Sequence, residues 1–177
     1  PLIQKAYAFG KEAHKDQKRK SGESYFTHCI ATAEALDEWG LDESTIAAGL
    51  LHDVVEDTPV TAEELKKEFG DEISGLVDGV TKIGNVKYRG HEKQVENLRK
   101  MILAMAEDLR VVLIKLADRR HNMQTLAALP PNKQRRIALE TMDVYAPLAY
   151  RLGMQKLSGE LEDLAFPYIY PSEYRWL

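Results

Sequence analysis

Residues 42–57 read DESTIAAGLLHDVVED, and their spacing decides both the fold class and the place where chemistry can sit. Asp42 is placed as an N-cap, and Thr58-Pro59 stops the helix after Asp57. A helix advances about 100° per residue, so with His52 at zero Glu56 falls near 40°, Gly49 near 60°, Asp53 near 100° and Asp57 near 140°. Leu50, Val54, Ala47, Leu51 and Val55 fill the arc from roughly 160° to 300°. One face is ionisable and the other belongs to a core. A His and three carboxylates beside so much apolar surface carry a desolvation penalty that a bound cation would offset. His52 and Asp53 can reach one ion from the same helix, but two ligands are too few to hold it tightly.

Outward from this helix the apolar spacing favours period 3.6 over period 2. Ile3, Ala6, Phe9 and Ala13 make one stripe, and Phe26, Cys29, Ala33 and Leu36 make another, separated by the basic loop QKRKSGES. Thr61 and Glu64 form a capping box that opens a fourth helix, with Gly70 placed to end it and Asp71 to cap the next. TKIGNVKYRG, residues 81–90, reads as a long surface loop. Helices are expected over 92–106 and 108–126, then from 133 to 152 with a bend at Pro147, and a short one over QKLSGELEDLAF. The expectation is an all-α chain, a single compact unit over 1–177 excised from a longer protein.

Further donors for a cation are sought on other helices. His28 lies in the second apolar stripe, and Asp118 follows the run VVLI in the long helix DLRVVLIKLADRRHNMQTL. With His52 and Asp53 they make a mixed set of two His and two Asp that leaves positions open for water and a phosphate oxygen. The set lacks thiolates, which argues against a closed structural zinc site and suits Mn, Fe or Mg. Each residue has a plainer reading: His28 as a hydrogen-bonded core histidine, Asp118 as half of an ion pair with Lys115 or Arg119, the basic loop as solvated charge. The concurrence of all four at helical positions, with Glu56 and Asp57 one turn on, favours the metal reading.

Composition narrows the partners. The 177 residues carry 24 basic against 28 acidic side chains, a formal charge of −4, so there is no general basic footprint for nucleic acid. An anionic substrate must be held locally. The one cysteine, Cys29, allows no intrachain disulfide and fits a reducing cytoplasm. No apolar run approaches the roughly 20 residues of a spanning helix.

The strings RKSGESYFTH, GLLHDVVEDT, ENLRKMILAMAEDLRVVLIKLADRRHNMQTL and YAPLAYRLGMQKLSGELEDLAF, in that order and followed by YPSEY, resemble the N-terminal hydrolase domain of the Rel/SpoT family of alarmone enzymes over nearly the whole chain. The resemblance implies an HD-type phosphohydrolase, a bundle of about eight to ten helices. It implies His28, His52, Asp53 and Asp118 as metal ligands, with Mn2+ in preference to Mg2+ or Fe2+. Glu56 and Asp57 then activate or position the attacking water, Arg19, Lys20 and Ser21 hold the guanine nucleotide, and Asn122 lies by the substrate ribose. His14, His91 and His121 match no ligand position and read as structural or surface residues. Arg120 departs from the pattern, standing where an apolar residue is expected. Nothing within these 177 residues resembles the synthetase domain that follows in the long family members.

The reaction implied is hydrolysis of the 3′-pyrophosphate of (p)ppGpp, part of the stringent response, giving GDP or GTP and pyrophosphate. Two alternatives stand beside it: an HD phosphohydrolase acting on another nucleotide, and a non-catalytic module that senses the alarmone and signals to an attached domain.

Overall fold

The computed structural model describes residues 1–84, 99, 103 and 106–176. Among these the chain is helical with no strand; its one bridge joins Lys18 to Ser24. In chain order the elements are α1 (Leu2–Ala13), α2 (Phe26–Glu38), α3 (Glu43–Leu51), α4 (Val54–Asp57), α5 (Ala62–Gly84) and α6 (Leu109–Gln124). A 3-10 turn (Leu126–Ala128), α7 (Pro131–Glu140), a π-turn (Thr141–Tyr145), α8 (Ala146–Arg151), α9 (Gln155–Ile169) and α10 (Pro171–Tyr174) complete the chain. No helix among the described residues is long and apolar enough to cross a membrane.

Local chemistry explains the starts. Asp42 accepts from the Thr45 backbone N–H at 3.0 Å and from its hydroxyl at 2.7 Å, satisfying a free N–H of the first turn of α3. Thr61 and Glu64 form the reciprocal capping box, at 2.9 and 3.2 Å. Asp108 accepts from the Arg110 N–H at 2.9 Å and opens α6.

The chain divides into two compact units, Pro1–Asp118 and Arg119–Leu177. In the first, α3 is the central rod: every residue from Thr45 to Leu51 is buried, and α1, α2 and α5 pack against it. Each fully buried leucine there, such as Leu36 and Leu51, contributes about 1.5–3 kcal/mol of transfer free energy. In the second, α9 is the rod, with α7, the π-turn, α8 and α10 around it and Leu157, Leu161, Ala165 and Ile169 facing inward.

Three details differ from the sequence reading. The helix expected to run unbroken through Asp57 stops at Leu51, turns at His52 and Asp53, and resumes as the short α4. As expected, Gly70 breaks the helix begun at Ala62, with φ of 80°, and a second helical stretch follows at once. Residues 81–84, expected in a loop, continue α5, because Ile73, Leu76, Val77, Val80 and Ile83 form one buried stripe. Positions 85–90 of that loop, and most of the helix expected over 92–106, lie outside the described residues. Finally, the bend expected at Pro147 is a π-turn placed just before it. Pro147 has no N–H for the Asp143 carbonyl, and the hydrogen-bond register slips over the preceding residues.

Candidate metal centre

His28 sits on α2, two residues into the helix, and faces inward with 2% exposure. His52 closes α3, and its Nδ1 lies 2.7 Å from the Gly49 carbonyl oxygen. A carbonyl only accepts, so Nδ1 is the donor and Nε2 is turned into the site. That nitrogen is buried and has no hydrogen-bond partner.

Both imidazoles look onto both carboxylates. His28 Nε2 lies 3.1 Å from Asp118 Oδ1 and 3.7 Å from Asp53 Oδ2. His52 Nε2 lies 3.1 Å from Asp53 Oδ2 and 4.0 Å from Asp118 Oδ1. Donor atoms of His28, His52 and Asp118 all fall within 4.8 Å of one another, a spacing that can hold a metal ion. An orphaned buried imidazole nitrogen beside two carboxylates fits a divalent cation, and nitrogen with oxygen donors suits a borderline or hard ion. His52 and Asp53 adjoin at the break between α3 and α4, where Asp53 has φ of −100° and ψ of −2°.

The charges respond to one another. Burial pushes His28 down, an effect that Asp118 offsets only in part. Burial acts the same way on His52, but the Asp53 carboxylate overrides it and holds the ring up at about 9. Against the upward push of burial, His52 keeps Asp53 below the usual carboxylate range, and Lys115 with His28 keeps Asp118 well below it. Lys115 Nζ is 2.5 Å from Asp118 Oδ2, so Asp118 turns one oxygen to the lysine and the other to His28. The ion-pair reading of Asp118 and the metal reading are therefore compatible. Arg119 pairs with Glu140 at 3.2 Å instead.

Glu56 and Asp57 lie on α4 and are exposed. Burial of part of its surface, then the nearby Asp53, raises Glu56. Tyr25, which sequence reasoning passed over, donates from one hydroxyl to Asp53 Oδ2 at 2.8 Å and Asp57 Oδ2 at 2.7 Å. Burial, then Asp53, raises its phenol, so it stays a donor. Its place one turn before His28 in RKSGESYFTH was the available signal.

The basic loop is a tight hairpin. The Arg19 N–H donates to the Glu23 carbonyl and the Gly22 N–H to the Arg19 carbonyl, each at 2.9 Å, with Gly22 at φ 93°. Lys20 and Ser21 are exposed at its tip, whereas Arg19 is half-buried and its charge is felt at Cys29, beside His28. Asn122 lies on α6 one turn after Asp118 and belongs to the second unit. His14 is fully buried, and His91 lies outside the described residues. Arg120, in the position expected to be apolar, donates from Nε to both Glu160 oxygens at 2.9 Å.

A family model described as an HD domain matches residues 6–155. The chain belongs to the HD domain family. Among its HD relatives is guanosine-3′,5′-bis(diphosphate) 3′-pyrophosphohydrolase of Aquifex aeolicus, 54% identical over 172 residues, which are 97% of this chain and 24% of the relative. Another is the bifunctional (p)ppGpp synthase/hydrolase SpoT of Escherichia coli K12, 51% identical over 98% of this chain and 25% of that one. The chain thus spans about a quarter of the length of these relatives. The same HD fold is seen in the solved structure of a metazoan ortholog of SpoT, which hydrolyzes ppGpp and plays a role in starvation responses. It superposes with a TM-score of 0.70 at 27% identity, covering 92% of this chain and 93% of that one.

Proposed function

We propose that this domain hydrolyses the 3′-pyrophosphate of (p)ppGpp, releasing pyrophosphate and GDP or GTP. The observation that carries the reading is the convergence of His28, His52, Asp53 and Asp118 beside Glu56 and Asp57, in a domain half identical to the matching stretch of named 3′-pyrophosphohydrolases. These four side chains are proposed to hold one Mn2+, in preference to Mg2+ or Fe2+. Bound there, the ion supplies Lewis-acid chemistry, polarising a phosphoryl oxygen and acidifying water.

The chain's own residues do the rest. Asp57, fixed through its carboxylate by Tyr25, orients the attacking water. Glu56, whose raised pKa brings it closer to the working pH, takes the proton. Water adds to phosphorus, the bond to ribose O3′ breaks, and the proton lost by the water balances the one gained by the leaving oxygen. Arg19, Lys20 and Ser21 hold the guanine nucleotide, Asn122 meets the ribose, and Lys115 helps to offset phosphate charge near the acidic centre. The lone buried Cys29 suits a cytoplasmic setting, and a synthetase domain on the same chain is the proposed partner.

Product analysis tests the reading. Purified protein with ppGpp and Mn2+ is expected to yield GDP and pyrophosphate, and none after chelation. Release of orthophosphate alone, or preference for another nucleotide in a substrate panel, refutes the assignment.

A further inference from the structure

The segment joining α1 to α2 carries two side chains that neither the metal centre nor the basic loop employs. His14 closes α1 and is completely buried. Its ring stacks on Tyr25, with centroids 4.9 Å apart and planes 19° apart. Its Nδ1 lies 2.8 Å from Gln17 Oε1, and an amide oxygen only accepts, so the imidazole is the donor. The Nε2 of the same amide donates to the backbone carbonyl of Asp57. Two hydrogen bonds therefore run in one direction, from His14 through Gln17 to Asp57, and bonds aligned in this way strengthen one another.

Asp57 is the last residue of α4, which has only 4 residues. So short a helix has almost no internal bonding to hold its shape, and its final carbonyls have no partner within it. Gln17 supplies one from 40 residues away in sequence. Thr58 supplies another, its hydroxyl donating to the Val54 carbonyl at 2.6 Å. The carboxylate of the same Asp57 is gripped by Tyr25, on whose ring His14 lies. Backbone and side chain of one residue are thus tied to one imidazole, by a hydrogen-bond chain and by a stacked ring.

We propose that His14 and Gln17 are positioning residues for hydrolysis: through the Gln17 bond to the Asp57 carbonyl and the His14 stack on Tyr25, they fix α4 so that the Asp57 carboxylate meets the attacking water. The inference rests on the reading of Asp57 given above. Displacement of a reacting group by a fraction of an ångström is enough to slow catalysis, whereas substrate affinity and metal affinity depend on other residues.

Gln17→Met tests this, because it keeps the chain length at a half-buried position and deletes both bonds. The readouts are kcat and KM for ppGpp at saturating Mn2+, bound metal per chain, and Tm. The expected result is a kcat about 10- to 100-fold lower, with KM and bound metal unchanged. His14→Phe, which keeps the stack, is expected to slow turnover in the same way. The double variant should be no slower than Gln17→Met alone, since the two bonds lie in series. Full kcat with a lowered Tm in Gln17→Met makes the array a mere structural brace and overturns the inference. So does a rise in KM at constant kcat. Asp57→Asn in the same assay separates the two levels: if it turns over normally, the reading of Asp57 fails first. If it is slow and Gln17→Met is not, only the positioning role is lost. A parent protein without turnover overturns both.

Discussion

At the scale of single residues, the site separates groups that would hold an ion from groups that would act on water. Asp53 lies within 3.1 Å of His52 and 3.7 Å of His28, so Asp53→Ala is expected to abolish turnover and tight metal binding together. Dialysis followed by metal analysis checks the second loss, and a fully active variant rejects the site. Glu56 is exposed on α4 and has no such contact. Glu56→Gln is therefore expected to retain the metal and lose roughly 100- to 10,000-fold in rate. Loss of the ion from that variant would reassign Glu56 as a ligand.

At the scale of elements, close approach of α2 and α3 brings His28 and His52 together. A Cβ at Gly49 would stand 2.5 Å from Leu36 Cδ1, so the fully buried Leu36 side chain must shift to admit it. Gly49→Ala is expected to destabilise by about 1–3 kcal/mol and to weaken metal binding, because Gly49 also supplies the carbonyl that orients His52. Denaturant melts and metal titration read the two effects separately. At the N-terminal end of α3, 3.7 Å from Asp42, Arg110 joins Asp108 at 2.7 Å and Glu72 at 2.6 Å. Its hydrogen bonds hold both carboxyls below their ordinary values of 3.8 and 4.5. Depressed carboxyls stabilise the fold fully above those values, and the contribution fades as pH falls through the lower folded ones. The Tm of Arg110→Met should accordingly fall below the parent's at pH 7, and the gap should narrow steadily as pH falls below 4.5 and 3.8 and through the lower folded values. A gap that persists in acid would mean the loss is one of packing.

At the scale of the whole molecule, all four proposed donors lie in the Pro1–Asp118 unit. A ligand that binds only the folded state at 100 times its Kd adds about 2.7 kcal/mol, which for a chain of this size raises Tm by roughly 5–10 °C. Calorimetry with Mn2+ and with chelator is expected to show that shift in the unfolding of this unit. Identical melts in the two conditions would argue that no ion binds there.

Local patterns in the sequence determined a good deal by themselves. The apolar period of α2, α3 and α6 makes them helices, Asp42, Thr61 and Asp108 mark the starts of α3, α5 and α6, and the face carrying His52, Asp53, Glu56 and Asp57 is visible from a 100° advance. His28 and Asp118 were also legible, as ionisable groups inside apolar stripes, where burial is costly without a partner. The turn at His52 and Asp53, the Tyr25 hydroxyl between two carboxylates, and the reach of Gln17 to the Asp57 carbonyl were not. The last two depend on contacts between residues 28 to 40 positions apart, and no periodicity within one helix encodes which side chain a distant segment will meet. Arg120 shows the same limit from the other side: out of place by local pattern, it is matched by Glu160 from another helix, a partner that only packing could supply.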